Sequence, residues 1–181
     1  MLNNSNVPSQ ARIIRIPGTS SDGGGGGTPE VFYNVSFPGN AVGSLYSGAS
    51  TRYGEEARVS SSVLVNQSIS KLTVRLRRRL SPSGTLSAVM RNSAGNVVAT
   101  FAETISASSL TTSFANYTFT LDNPYTIKAG DKVLIEYGGP ARVELEAWST
   151  DQFDGSNTRR IRFAGSSFIG GNTSDVVGTM S

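Results

Sequence analysis

The sequence predicts an all-β fold, a two-sheet antiparallel β-sandwich of jelly-roll type with an extended N-terminal arm. The first observation behind this prediction is a series of short runs in which apolar and polar residues alternate, the pattern of a strand with one buried face. The second is that turn residues recur about every 8–12 residues, as they do in sandwiches and barrels. The third is that no segment carries the 3.6-residue period of a helix.

The 181 residues divide into three predicted segments. Residues 1–30 form the arm, residues 31–164 the sandwich and residues 165–181 a C-terminal tail. The arm contains five consecutive glycines at positions 23–27. Because glycine loses more backbone freedom on ordering than any other residue, this run predicts a flexible joint between the arm and the sandwich.

A short apolar piece of the arm is the candidate docking segment. It contains Ile13, Ile14 and Ile16 and is closed by Pro17 and Gly18. Three isoleucines cannot make a core, but addition of this piece to the edge of another sheet would bury them and satisfy its backbone. The alternative is that the piece folds back as an edge strand of its own domain.

The strands of the sandwich follow in chain order. After an alternating strand at 31–37, the small and polar residues 43–54 predict a long surface loop. Turns at 81–84 and 138–140 predict hairpins, and the hydroxyl-rich residues 106–113 predict a crossing between sheets. The remaining predicted strands cover residues 57–65, 72–77, 85–91, 97–101, 117–121, 133–137, 143–147 and 160–163.

The composition predicts a non-catalytic protein without a cofactor or a metal site. The chain has no histidine and no cysteine, which removes the commonest general base, the thiol nucleophile and the usual zinc ligands. No run of about 20 apolar residues is present, so no membrane span is expected.

Charged residues are concentrated on two predicted strands. The 13 arginines and three lysines exceed the 13 acidic residues by three, and Arg75, Arg77 and Arg79 face Glu144 and Glu146 if the two strands are neighbours. A strand face that is solvated or pairs with itself is the first interpretation of these charges, and ion pairing between subunits is the second and the candidate functional role. A phosphate-binding surface for nucleic acid is the least favoured, because it would need a continuous basic surface.

Exposed aromatic rings provide a second candidate site. Tyr46 and Tyr53 lie in the predicted loop, and Trp148 points outward by alternation. Such rings can stack on sugars. Tyrosine and tryptophan are also common at protein interfaces, so packing is the alternative.

Several pieces of the middle of the chain match a known pattern. They are residues 70–74 (SKLTV), 81–86 (SPSGTL), 108–113 (SSLTTS), 117–119 (YTF) and 127–131 (IKAGD). Together they resemble a family of secreted bacterial β-sandwich domains of the surface "choice-of-anchor" type, which are similar to carbohydrate-binding modules. The resemblance covers under half of the chain and implies a sandwich fold.

These features lead to two functional hypotheses. The first is a structural protein of a virus particle, a phage capsid decoration (cement) protein or a fibre subunit that binds other protein subunits through its arm and forms a homo-oligomer, a trimer by preference. The N terminus lacks a basic start followed by an apolar run, so synthesis in the host cytoplasm and location in the virion are expected. The alternative is a carbohydrate-binding or adhesion module on an extracellular surface.

Overall fold

A computed structural model describes residues 31–32, 41–48, 50–147, 157–164, 167–171 and 178–180. Two antiparallel sheets pack face to face, which confirms the predicted all-β sandwich. The strands are β1 Val31–Phe32, β2 Ala41–Leu45, β3 Ser50–Ala57, β4 Ser68–Arg78, β5 Thr85–Arg91, β6 Val97–Thr100, β7 Ile105–Ser106, β8 Ala115–Thr126, β9 Lys132–Glu136, β10 Val143–Ala147, β11 Thr158–Ala164, β12 Ser167–Gly171 and β13 Gly178–Met180. A 3₁₀ turn, Ala107–Ser109, separates β7 from β8.

The strand order defines two sheets. Sheet A runs β1-β13-β4-β10-β2, with β8 paired to the other edge of β4, and sheet B runs β12-β11-β3-β9-β5-β6, with β7 paired to β5. The predicted sheet crossing at 106–113 is confirmed, because β7 belongs to sheet B and β8 to sheet A. The jelly-roll type stays a prediction.

The two turns predicted to close hairpins instead connect the sheets. Residues 81–84 lead from β4 in sheet A to β5 in sheet B, and residues 138–140 lead from β9 in sheet B to β10 in sheet A. The same glycine and proline residues reverse the chain in either case. Turn chemistry therefore reveals the reversal but not the sheet that receives the next strand.

Alternation along the strands builds the core between the sheets. On β4, Leu72, Val74 and Leu76 are buried while Arg75 and Arg77 are partly exposed. Each fully buried aliphatic side chain contributes about 1.5–3 kcal/mol of transfer free energy. The most deeply buried members of the core include Leu45, Leu64, Ile69, Leu86, Met90, Phe101, Phe119, Ile127 and Tyr137.

The predicted loop at 43–54 is wrong, because β2 extends to Leu45 and β3 begins at Ser50. The small residue Gly43 is a packing requirement rather than a loop signal: a Cβ there would lie 2.4 Å from Cζ of Tyr53. The ring of Tyr53 occupies that space and is only 5% exposed.

The predicted strand at 57–65 is also wrong beyond Ala57, the last residue of β3. Backbone hydrogen bonds from Ser62 N to the Val59 oxygen and from Val65 N to the Ser62 oxygen, both 3.0 Å, form consecutive turns. The alternating valines therefore lie in a segment of turns. Leu64 of this segment is buried in the core.

The range predicted as a C-terminal tail contains two strands of the sandwich. β12 pairs with β11 in sheet B, and β13 pairs with β4 and β1 in sheet A. The side chain of Met180 lies in the core. The arm, residues 1–30, lies outside the described residues, as do its predicted docking residues Ile13, Ile14 and Ile16.

Candidate functional site

The charged residues predicted from the sequence lie together on the outer face of sheet A. The register of β4 and β10 places Arg77 directly opposite Glu144, and their side chains form an ion pair of 2.6 Å between Nη2 and Oε2. Arg75 and Glu146 form a second ion pair, with Nε 3.0 Å from Oε2, but this contact lacks the geometry of a hydrogen bond. Both pairs join neighbouring strands of one chain, so the charges of this face pair within the subunit. Ion pairing between subunits stays a prediction.

Glu144 is shared by three arginines. Besides Arg77, its carboxylate lies 3.1 Å from Nε of Arg79 and 3.9 Å from Nη1 of Arg142. Glu144 is 2% exposed, whereas about half of each of the side chains of Arg79 and Arg142 is open to solvent. One buried negative charge therefore faces three positive charges, and two of the guanidinium groups are open to solvent, from which a further anion could reach them.

These arginines belong to a surface at one end of the sandwich that we call the basic end, made of Tyr46, Arg78, Arg79, Leu80 and Arg142. The connections after β2, β4 and β9 meet there: Arg79 N donates to the Arg142 oxygen at 3.0 Å. The guanidinium of Arg142 lies 5.4 Å from the centroid of the Tyr46 ring, a cation–π distance.

Leu80 is the most unusual residue of the basic end. It is 85% exposed, and its φ of 59° lies in the left-handed region that a leucine seldom adopts. The guanidinium of Arg78 donates to its carbonyl oxygen at 3.2 Å, which fixes this backbone conformation. The basic end therefore combines one exposed apolar side chain with three arginines.

The three predicted sugar-stacking residues are not brought together among the described residues. Tyr46 is partly buried at the basic end, beneath Arg142. Tyr53 points into the sandwich, where burial raises the pKa of its phenol against the opposing effect of Arg160; its buried ring offers no face to a sugar. Trp148 lies outside the described residues.

The outer face of sheet B carries a second set of ion pairs. Glu56 lies 2.6 Å from Arg159 and 3.3 Å from Lys132, and Glu136 lies 2.8 Å from both Arg52 and Arg91. These pairs flank an outer apolar row made of Val89, Leu134 and Ile161, which is buried. The charges of this face therefore pair across neighbouring strands of the sheet.

The described part of the chain holds no group of three or more acidic, histidine or cysteine residues that could bind a metal ion. No helix of that part is long and apolar enough to cross a membrane. Sequence reasoning missed Leu80, Arg142 and Tyr46 as neighbours. Each of the three residues lies beside a turn. Which turns come together depends on the order of the strands in the sheets, and the sequence does not give that order.

Comparison with known proteins gives no relative from which a function could be transferred. No protein family, no curated protein and no solved structure matches this chain. Because one sandwich fold serves many functions, the function has to come from the surfaces described above.

Proposed function

We propose that this protein is a non-catalytic structural subunit of a virus particle, a capsid decoration protein or a fibre subunit, attached through its N-terminal arm. The observation that carries the proposal is the position of β1, the strand that follows the arm. Val31 and Phe32 pair with Met180 and Thr179 of β13, and β13 pairs with the central strand β4. A partner bound to the arm is thereby connected to the core of the sandwich.

The strand order supports this class of function. We include in the proposal a jelly roll whose four-stranded sheets are β2-β10-β4-β8 and β3-β9-β5-β6, both contained in the observed order. Two such sheets, each joined by crossings between the layers, are the arrangement of jelly rolls, a fold of viral capsid and lectin domains. Both outer faces carry cross-strand ion pairs, which suits a structural subunit exposed to solvent.

The mode of assembly in the proposal is a closed homotrimer. Strand addition of residues 11–16 to a neighbouring sheet edge would hold the subunits, since backbone hydrogen bonds give affinity in this kind of contact. A closed ring of identical contacts avoids open-ended growth. The basic end, with Leu80 exposed, would add contacts to an acidic surface of the particle.

Light scattering on the purified protein tests the proposal. The full chain should have the mass of a trimer or a larger closed assembly, at both low and high salt, and removal of residues 1–27 should give a folded monomer. A full chain that stays monomeric under all conditions would contradict the proposed assembly. Virus particles purified from the source on a density gradient should contain the chain by mass spectrometry, and particles without it would contradict the virion location.

A carbohydrate-binding or adhesion module is the second candidate. The observation that favours it is the Tyr46 ring beside the half-exposed Arg142, because an aromatic ring and a guanidinium together can hold a sugar with a negative group. A glycan array should show a signal that Tyr46→Ala and Trp148→Ala reduce. An array without any signal for the wild-type protein would remove this candidate.

A further inference from the structure

A cleft of about 230 Å³ opens on sheet B, away from the basic end residues described above. It is lined by Tyr53, Arg160, Ile161, Arg162, Ile169 and Gly170. It would hold about eight waters at the volume that each takes up in the liquid, which is smaller than the pockets of about 300–1,000 Å³ that take drug-sized ligands. The cleft is therefore the size of a single sugar residue or a small organic acid.

The cleft exists because sheet B extends beyond sheet A. Tyr53 on β3 packs against Gly43 on β2, and β2 is the last strand of sheet A on that side among the described residues. Sheet B continues past β3 through β11 and β12. The inward face of these two strands therefore has no described strand of sheet A opposite it.

The register places two arginines on this inward face. Arg162 is directly opposite Tyr53, and Arg160 is opposite Glu55, so both arginines share a face with Tyr53, a member of the core. Ile169 of β12 is opposite Arg162 and is 44% exposed. An inward face would ordinarily carry apolar residues; here it carries two cations beside one exposed isoleucine.

The described surroundings of the two arginines orient one of them and balance only part of their charge. The guanidinium of Arg160 lies 5.6 Å from the centroid of the Tyr53 ring, which orients it. Among the described residues, neither Arg160 nor Arg162 forms an ion pair with a carboxylate. Glu55 lies opposite Arg160 in the register and brings one negative charge, so these three side chains together carry a net charge of +1.

We propose that this cleft binds the oxyanion group of a small ligand about one sugar residue in size, a carboxylate or a phosphate held by Arg160 and Arg162, with Ile169 against the apolar part of the ligand. Guanidinium groups match both oxyanions because their planar donors bind two oxygens at once. This proposal goes beyond the structural role above and does not depend on the arm.

The test is a titration of the isotope-labelled full chain, followed by amide chemical shifts, with glucuronate, glucose 6-phosphate and uncharged glucose. Glucuronate, glucose 6-phosphate or both should shift the amides of residues 160–162 and 169–170 with a Kd of about 1 mM, typical of a ligand of this size. Which anion binds more tightly identifies the carboxylate or the phosphate as the preferred group. Glucose should give no saturable shift.

Three variants make the test specific. The double variant Arg160→Ala with Arg162→Ala should raise Kd at least ten-fold, whereas Arg79→Ala with Arg142→Ala, which removes the same charge from the basic end, should leave Kd unchanged. If the first double variant fails to fold, Ile169→Asp places a carboxylate on the exposed wall of the cleft and should abolish binding in a folded protein.

The proposal is overturned if neither anion shifts these amides up to 20 mM, about twenty times the expected Kd, if glucose shifts them equally, or if the two double variants behave alike. Removal of residues 1–27 should leave the anion affinity unchanged. A truncated protein that loses assembly but keeps the affinity would separate this site from the proposed arm-mediated attachment.

Discussion

Glu144 shows how a single residue can serve several arginines at once. Its carboxylate is buried and lies within 4 Å of Arg77, Arg79 and Arg142, while the ring of Phe114 covers the guanidinium of Arg77 at 4.3 Å. Burial strengthens the attraction between charges but makes an unpaired charge costly. One negative charge therefore holds Arg77 on β4, Arg79 directly after β4 and Arg142 in the β9–β10 connection.

Replacement of the Glu144 carboxylate by a neutral group should destabilise the folded protein. Glu144→Gln leaves three arginines without their carboxylate and should lower the free energy of unfolding by about 2–4 kcal/mol, somewhat less than for a fully buried pair because the arginines reach solvent. Urea denaturation measures the change. Asp122→Asn removes an equal charge from an exposed position and should change stability by less than about 0.5 kcal/mol. Equal effects of both variants would contradict the shared role of Glu144.

Two glycines give a matched test of close backbone packing. A Cβ at Gly54 would lie 1.9 Å from the carbonyl oxygen of Val133, whereas a Cβ at Gly138 would have no atom within 4 Å. Gly54→Ala should therefore cost at least about 3 kcal/mol, because a backbone atom has to move, and Gly138→Ala should change the free energy of unfolding by less than about 0.5 kcal/mol. Thermal and urea unfolding of both variants measure this difference, and an unaffected Gly54→Ala would contradict the packing of β3 against β9.

Tyr125 gives the protein a pH dependence at the alkaline end. Its hydroxyl donates to Oδ2 of Asp131 at 2.8 Å, and burial together with this hydrogen bond and the charge of Asp131 raises its pKa to about 12. An unfolded tyrosine has a pKa of about 10. The folded protein thus holds the phenol proton more tightly than the unfolded chain does.

The stability contributed by the neutral phenol should be complete below about pH 10 and be lost as the pH rises toward about 12. Between these values the wild-type melting temperature should fall more steeply than that of Tyr125→Phe, which has no proton to lose. Lysines titrate in both proteins, so the difference between the two curves isolates Tyr125. Parallel curves from pH 9 to 12 would show that the hydrogen bond does not contribute to stability.

Alternation predicts the central strand of sheet A well, but it does not always indicate a strand, since the alternating valines of residues 57–65 lie in turns. Leu72, Val74 and Leu76 identify β4, and the β5–β6 hairpin follows from the turn at Asn92, where Asn96 N donates to the side chain at 2.9 Å. The sequence does not predict which strands pair with each other, because pairing depends on which sheet edge is available. The turns at 81–84 and 138–140 therefore predict hairpins, although they connect the two sheets.

The ion pairs on sheet A can be predicted from the sequence, whereas the cleft on sheet B cannot. Opposite charges on outward positions of β4 and β10 indicate pairing as soon as the strands are neighbours, so Arg77 and Glu144 could be found from the sequence. Arg160 and Arg162 could not be assigned to a cleft, since the cleft depends on which strands face each other, and no described strand of sheet A lies opposite them beyond β2. The predicted exposure of Tyr53 is wrong because Gly43, which in the sequence resembles a loop residue, leaves room for the ring of Tyr53.

The last strand tests whether the C-terminal range is integral to the sandwich. Met180 of β13 is buried in the core, so Met180→Ala should lower the free energy of unfolding by about 2–5 kcal/mol. Ile169 of β12, which precedes β13 in the chain but belongs to sheet B, is half-exposed, so Ile169→Ala should lower the free energy of unfolding by less than about 1 kcal/mol. A tail that merely lies on the surface would instead give two small and similar changes.

At the scale of the whole molecule, the first and last described strands are neighbours. Val31 faces Met180 in the register of β1 and β13, so the two ends of the sandwich could be joined by a two-residue turn. A chain permuted in this way, without the arm and opened at the exposed Ala94 of the β5–β6 turn, should fold with the circular dichroism spectrum of the sandwich. A permuted chain that is unfolded would contradict the pairing of the ends.

The pairing of β1 with β13 also sets an order of events during synthesis. Val31 cannot find its partner Met180 until position 180 has left the ribosome. The pairing of β1 is therefore made after the strands between β1 and β13 are already available. Any contact of a partner that depends on a paired β1 has to wait until the chain has been made as far as β13.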